Sequence, residues 1–341
     1  MTFLTIAIPV YNKAQHIEMC VKSIIDQKEN NYEILLVDDG STDNSLEICN
    51  KYAKNFKDRI RVISCPNQGS IIARRICIEN AKGEYIWFVD ADDHLIDNRV
   101  TQRVENIIKK ERCDLLIFNY VNKSDIHSKV LDDFKVKNLV NRGKEELYLV
   151  AAGGPSFLNP LFNKVFHRSL IDLGSYDNFK TVKNGTDYFQ MLPILTNAKS
   201  IFYFEAPMYV YNNSGISISR SFNKNIYSSL KQGYYRMVGL SKKWGKITDE
   251  DKFNKACGKH RLMIVSTAAF KTRLCGYDEA KSFLNDIVED SFFRESFKKE
   301  YLTQIFWGRR FILWLLYKKQ VSILYILIQV FDKIIMFINK K

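Results

Sequence analysis

The chain lacks several features that would account for a basic protein of its size. Its seven cysteines (Cys20, Cys49, Cys65, Cys77, Cys113, Cys257, Cys275) are odd in number, with no CxxC pair and no Cys/His cluster at zinc-ligand spacing. A reducing, cytosolic compartment therefore fits better than an exported disulfide scaffold. The formal charge is +13, yet no block of five Lys/Arg occurs. The turn after the first apolar run carries no glycine, so neither GxGxxG nor GxxxxGK[ST] forms there, and a helix N-terminus cradling phosphate has little support. His94 and His167 have no second histidine at ligand spacing, and read as loop or surface residues. Residues 301–341 contain no charge-free stretch long enough to span a bilayer. There is no internal repeat and no low-complexity segment. The start, MTFLTIAIPVYN, has no basic n-region and reads as the first strand of the fold rather than a leader.

What is present begins with regular alternation. The apolar run LTIAIPV (4–10) is followed by helical spacing at Ile17, Cys20, Val21, Ile24 and Ile25. YEILLVDDG then precedes a helix through NSLEICNKYAKNF, IRVISC precedes GSIIARRICIENAKG, and EYIWFVDADD follows. Strands alternating with helices of this length predict an α/β fold with a mostly parallel sheet, flanked by helices, and ligands at the carboxyl ends of the strands. Each strand end carries polar chemistry: Tyr11 and Asn12, Asp38 to Gly40, Asn67 to Gly69, and Asp90 to Asp93.

The last of these is the most informative. Three carboxylates within four positions repel one another unless water, a donor or a cation intervenes. Asp90 and Asp92, one residue apart at a strand end, can both offer hard oxygens to Mg²⁺ or Mn²⁺ and leave coordination sites for diphosphate. The plainer alternative is a solvated turn. For Asp38 and Asp39 the plainer alternative is a capping turn before Asn44.

From 100 to 215 the pattern is less regular, and 216–300 reads as helices of mixed polarity. Residues 301–341 are the most apolar part of the chain. There Trp307, Trp314 and Tyr317 stand beside Arg309, Arg310, Lys318 and Lys319, which suits amphipathic helices lying on an anionic membrane surface rather than in a nucleic-acid groove. The alternative is a helix closing the core. The expected organisation is a catalytic domain over 1–220, a helical extension over 221–300, and membrane-associated helices over 301–341.

The segments PVYN, EILLVDDGSTDNS, NQGSIIARR, AKGEYIWFVDADD, NKVF and TDYF fall in the order and spacing of the family 2 inverting glycosyltransferases. Over residues 1–220 the chain resembles that family, which implies the GT-A fold. The resemblance implies that Tyr11, with the backbone near Pro9, stacks on the donor's base. It further implies that Asp39, with Asp38 beside it, accepts a hydrogen bond from uracil, and that Arg74 rather than Arg75 helps hold the nucleotide. Asp90 then reaches the ribose or the metal, Asp92 is the metal ligand, and Ala91 between them belongs to the donor site. Asp187 in NGTDYF is the implied general base, although Thr186 stands where the family commonly has Glu. SGISIS (214–219) resembles a loop near the donor phosphates.

The activity so implied is metal-dependent transfer of a sugar, with inversion, from a UDP-sugar to a hydroxyl of a glycan acceptor. A membrane-seated enzyme would take a lipid-linked acceptor, as in assembly of bacterial capsule, O-antigen or exopolysaccharide, and would sit on the inner face of the cell membrane. Three other readings fit the sequence less well. A nucleotidyltransferase needs a glycine-rich loop that is missing. A nucleic-acid binder would be repelled by the acidic strand ends. A non-catalytic sugar-nucleotide-binding scaffold would have no need of Asp187.

Overall fold

The structure is a computed structural model that describes residues 2–154, 156–171, 173–174, 182, 184–212, 222–245 and 247–338, the side chains of 334–338 excepted. The SGISIS segment therefore lies outside the described residues. By compactness the chain forms two units, one of residues 1–146, 157–182 and 186–215, the other of 147–156, 183–185 and 216–341.

The first unit starts as its apolar periodicity dictates: β1 (Leu4–Val10), α1 (Ile17–Ile25), β2 (Tyr32–Asp39), α2 (Ser45–Asn55), β3 (Ile60–Cys65), α3 (Ser70–Asn80) and β4 (Tyr85–Phe88). β5 (His94–Leu95), α4 (Val100–Glu111), β6 (Leu115–Asn122), β7 (Asp125–Lys129) and α5 (Asp133–Asn141) follow. After α6 (Lys144–Ala152) come β8 (Lys164–His167), α7 (Thr186–Asn197) and β9 (Ile201–Tyr211). The sheet runs β3-β2-β1-β4-β8-β6-β9-β5, with β7 on β6.

β1 to β4 are parallel, as the alternation predicts. Beyond β4 the sheet is mixed: β8 lies antiparallel to both β4 and β6, β9 parallel to β6, and β5 antiparallel to β9. Strand and helix order alone does not give this half, because β8 and β5 enter the sheet antiparallel and out of chain order although helices still separate most of its strands. The core is near-continuous along β1, β2 and β4, with Ile6, Ile8, Ile34, Leu36 and Trp87 fully buried. That is what a sheet covered on both faces requires.

One detail opens the site. β1 pairs with β4 only as far as Ala7 and Phe88, but continues against β2 to Val10 and Asp38. Pro9, which has no N–H to give, falls just where the β4 ladder has ended. The strand ends therefore part, and the residues after β1 and β4 face a common opening.

The second unit contains α8 (Ile226–Ser241), α9 (Glu250–Lys271), α10 (Tyr277–Glu289), α11 (Ser291–Arg294), α12 (Lys299–Leu302), α13 (Trp307–Tyr317) and α14 (Val321–Ile338). Tyr148 stacks on Trp244 at 4.5 Å between ring centroids. His260 of α9 is buried beneath Gly154, where an added Cβ would meet the imidazole Cδ2 at 2.7 Å. α13 and α14 each divide into two faces. Leu313, Leu315, Leu316, Val321, Leu324 and Ile328 are buried, whereas Phe306, Trp307, Phe311, Trp314, Ile323 and Ile326 are exposed. Core closure and an outward apolar face thus coexist on the same helices. Two of the basic residues are turned to internal partners: Arg309 donates to the Ser266 and Thr267 hydroxyls at 2.9 Å, and Lys319 pairs with Glu289 at 2.6 Å. No helix among the described residues is long and apolar enough to cross a membrane.

Candidate active site

At the carboxyl ends of the parallel strands the first unit gathers Asp38, Asp39, Asp90, Asp92, Asp93, Arg74, Asp187 and Lys13. The loop after β1 is positioned by Asn12, whose left-handed φ of 51° bends the chain over β2. Asn12 N–H donates to Ser41 Oγ at 3.1 Å, Thr42 N–H to Asn12 Oδ1 at 2.8 Å, and Lys13 N–H to Ser45 Oγ at 2.7 Å. Tyr11, just before it, is 44% exposed, so its ring face is open to a flat ligand.

Asp38 and Asp39 are both buried. Asp38 accepts from Ser41 N–H at 3.3 Å and from Ser64 Oγ at 3.2 Å. Asp39 accepts from the N–H groups of Gln68 and Gly69 at 2.8 and 2.9 Å. Burial raises the Asp39 pKa against those donors. Both carboxylates therefore shape the turns they sit in, and Asp39 fixes the entry to α3 through Gly69. Gly40 is required at φ +69° because a Cβ there would lie 2.7 Å from Asn67 N.

Helix α3 sends its two arginines apart. Arg75 lies on the outer side with Glu79 at 2.7 Å, while Arg74 is buried, above the Phe88 ring, and faces the carboxylates. Arg74 Nη1 donates to Asp187 Oδ1 at 2.6 Å, and Nη2 stands 3.5 Å from Asp90 Oδ1. Asp187, in the first turn of α7, is thus tied to Arg74 across 113 residues of sequence, and through Arg74 stands beside Asp90. Thr186 Oγ1, where a second carboxylate was expected, reaches Asp187 Oδ1 at 3.5 Å.

The DxD loop itself is held by a residue that sequence reading did not single out. Tyr209 of β9 is fully buried; its hydroxyl accepts from Asp90 N–H at 3.1 Å and donates to Asp93 Oδ2 at 2.6 Å. Asn212 adds its N–H to Asp93 Oδ1 at 2.7 Å and its amide to Asp92 O at 3.2 Å. Asp93 is therefore an internal anchor, which leaves Asp90 and Asp92 to point outward. Burial, with the neighbouring carboxylates, raises the pKa of both Asp90 and Asp93. The motif NKVF is also internal. The Lys164 ammonium is buried and donates to Pro160 O at 2.5 Å and Asn163 Oδ1 at 2.6 Å. Burial pushes its pKa down to about 7, with Asp187 opposing that shift. The only cue in the sequence was the pair Asn163-Lys164 ahead of a strand, which periodicity alone does not read as functional.

Two cations already meet the carboxylates that a divalent ion would use: Lys13 Nζ lies 2.5 Å from Asp92 Oδ2, and Arg74 lies beside Asp90. The donor set, two aspartates in a partly open cleft balanced by positive charge, fits a hard cation. Among the described residues no group of three or more His, Cys, Asp or Glu side chains forms a metal cage. An ion here would hold two carboxylates at most and take its remaining ligands from diphosphate and water.

The mixed sheet thus ends its parallel strands in paired carboxylates, with Arg74 bonded to Asp187 beside them. The profile described as glycosyl transferase family 2 matches residues 5–173. An uncharacterized glycosyltransferase of Haemophilus influenzae is 31% identical over 205 residues, 60% of this chain and 76% of that protein. Glycosyltransferase GlyG of Streptococcus pneumoniae serotype 4 is 26% identical over 295 residues, 76% of this chain and 95% of that protein. Among solved structures, S. aureus TarS 1–349 in complex with UDP-GlcNAc superposes with a TM-score of 0.67 at 16% identity, covering 97% of this chain and 91% of that one. The mannosyltransferase PcManGT from Pyrobaculum calidifontis, in complex with GDP-Man and Mn²⁺, gives 0.54 at 16% identity over 97% and 87%. This chain belongs to glycosyl transferase family 2 and has the GT-A-like fold, and it is a glycosyltransferase.

Proposed function

We propose that the protein transfers a single sugar, with inversion, from a UDP-sugar to a hydroxyl of a lipid-linked glycan in the assembly of a bacterial surface polysaccharide. The observation that carries this reading is the convergence of Asp90, Asp92, Arg74 and Asp187 at one strand edge. Tyr11 stacks on the base, and the Asp39 oxygens have lone pairs left for the uracil N–H after serving Gln68 and Gly69. A Mn²⁺ or Mg²⁺ ion held by Asp90 and Asp92 would neutralise diphosphate and stabilise it as a leaving group.

Asp187 acts as general base on the acceptor hydroxyl, which attacks the anomeric carbon opposite the leaving diphosphate. Arg74 donates to Asp187 Oδ1 and leaves Oδ2 to take the acceptor proton.

The exposed apolar face of α13 and α14 suits seating on an anionic bilayer, with Trp307 and Trp314 at the headgroup level and Arg310 and Lys318 close by in sequence. Such seating would bring the enzyme to a lipid-linked acceptor on the inner face of the membrane.

The test is thermal stabilisation by nucleoside diphosphates and nucleotide sugars, with and without Mn²⁺. A ligand at 100 times its Kd adds about 2.7 kcal/mol. Metal-dependent stabilisation by UDP and its sugars is the expected result. Stabilisation by GDP alone would overturn the uracil assignment, and full transfer in excess EDTA would overturn the roles of Asp90 and Asp92. If UDP binds but no UDP-sugar is transferred to a lipid-linked glycan, the proposed donor and acceptor pairing is overturned.

A further inference from the structure

Lys13 meets Asp92 at the site but has been given no role in donor binding, and its placement is constrained from both ends. Its backbone N–H is tied to Ser45 Oγ at 2.7 Å, and on either side of it Asn12 is bonded to Ser41 and Thr42 while Ala14 N–H reaches Asp43 Oδ2 at 3.1 Å. The loop is therefore stitched to the start of α2, and Lys13 can leave its position only by rotating its own side chain. At the far end the ammonium sits 2.5 Å from Asp92 Oδ2, across 79 residues of sequence. The side chains are 29% and 19% exposed, so the pair is screened less than a surface bridge. Around it stand Asp90, already faced by Arg74, and Asp93, already taken by Tyr209 and Asn212. Asp92 is thus the carboxylate whose cation is Lys13.

An ammonium and a divalent ion on one carboxylate repel each other strongly at such separations. The ion must displace Lys13, and a displaced lysine on a fixed loop needs another anion within its own reach. The diphosphate of the donor is that anion. From this we infer that Lys13 is a tethered counter-ion of Asp92 that competes with the divalent metal until nucleotide arrives, making metal and donor binding cooperative. The inference rests on the donor-site reading above. It adds a residue that sets when the metal enters, since the ion binds weakly alone and tightly with diphosphate present.

The experiment titrates Mn²⁺, followed by the EPR signal of the free ion, into the 341-residue chain and into Lys13→Met and Lys13→Arg, each with and without UDP. In Lys13→Met, Mn²⁺ without nucleotide should bind about tenfold tighter than in the unaltered protein, and the factor by which UDP tightens Mn²⁺ should shrink by about fivefold or more. Lys13→Arg retains the charge and should keep weak binding without UDP. Equal or weaker Mn²⁺ binding in Lys13→Met without UDP overturns the role of Lys13 while leaving the donor site standing. If no form binds Mn²⁺ even with UDP, the donor-site reading falls and this inference with it.

Discussion

Tyr209 offers a clean test of how the DxD loop is held, because Tyr209→Phe removes one oxygen and leaves the ring. The ring stacks on Phe162 at 4.8 Å, with planes 12° apart, and that packing survives the change. What is lost is the donor to Asp93, 2.6 Å away, and the acceptor for Asp90 N–H, 3.1 Å away. Asp93 is 1% exposed and Tyr209 0%, so water does not readily replace the hydroxyl. Leaving the Asp90 N–H or the buried Asp93 carboxyl oxygen without its partner costs about 1–3 kcal/mol each. Taken together, with partial relaxation, the loss is about 3 kcal/mol. At roughly 2–4 °C per kcal/mol for a domain of this size, the melting temperature should fall by about 6–12 °C. Calorimetry of the two proteins at pH 7 measures this directly, and the same variant should show a raised KM for the donor because Asp90 and Asp92 are no longer fixed. A fall of less than 2 °C with unchanged KM would refute the view that the Tyr209 hydroxyl anchors the loop.

Other expectations follow from the same geometry. Asp187→Asn should lower transfer by about 10² to 10⁴, the usual worth of a general base, while UDP still stabilises the protein against heating; loss of UDP binding as well would make Asp187 a donor-site residue instead. Burial holds the His260 pKa down to about 3, so the unfolded chain binds the extra proton between that value and 6.5. Stability should therefore drop as pH falls below 6.5, by about 2 kcal/mol at pH 5, and urea midpoints of His260→Gln should lack that part of the acid sensitivity. Vesicles of anionic lipid should co-sediment with the protein, more weakly for the double variant Trp307→Ser, Trp314→Ser, and binding that persists unchanged would remove α13 from the membrane contact.

Much of the donor edge is legible before folding. β1, β2 and β4 announce themselves by apolar runs, and each run ends in the polar residues that later line the site. The reason is local: in parallel strands every carboxyl end lies on one edge, so strand order along the chain already predicts which residues share a face. Arg74 against Arg75 was not legible with the same force, since two adjacent helical residues differ only in which side of α3 they occupy. The fold turns Arg74 toward Phe88 and the carboxylates and Arg75 toward Glu79.

The sequence by itself determined the alternating half of the sheet, the acidic strand ends, and the absence of a glycine phosphate loop, because these are properties of short segments with a fixed period. Tertiary structure alone decided that Asp93 turns inward while Asp90 and Asp92 face the cleft, and that Lys13 rests on Asp92. The partners involved are 116 and 79 residues apart. At such separations no local pattern carries the pairing. It arises because the ladder from β4 through β8 and β6 to β9 brings Tyr209 beneath the DxD loop, and because a left-handed Asn12 bends Lys13 over the strand ends. Charge placed by a fold, rather than charge counted in a sequence, sets Lys13 against Asp92 and Arg74 against Asp187.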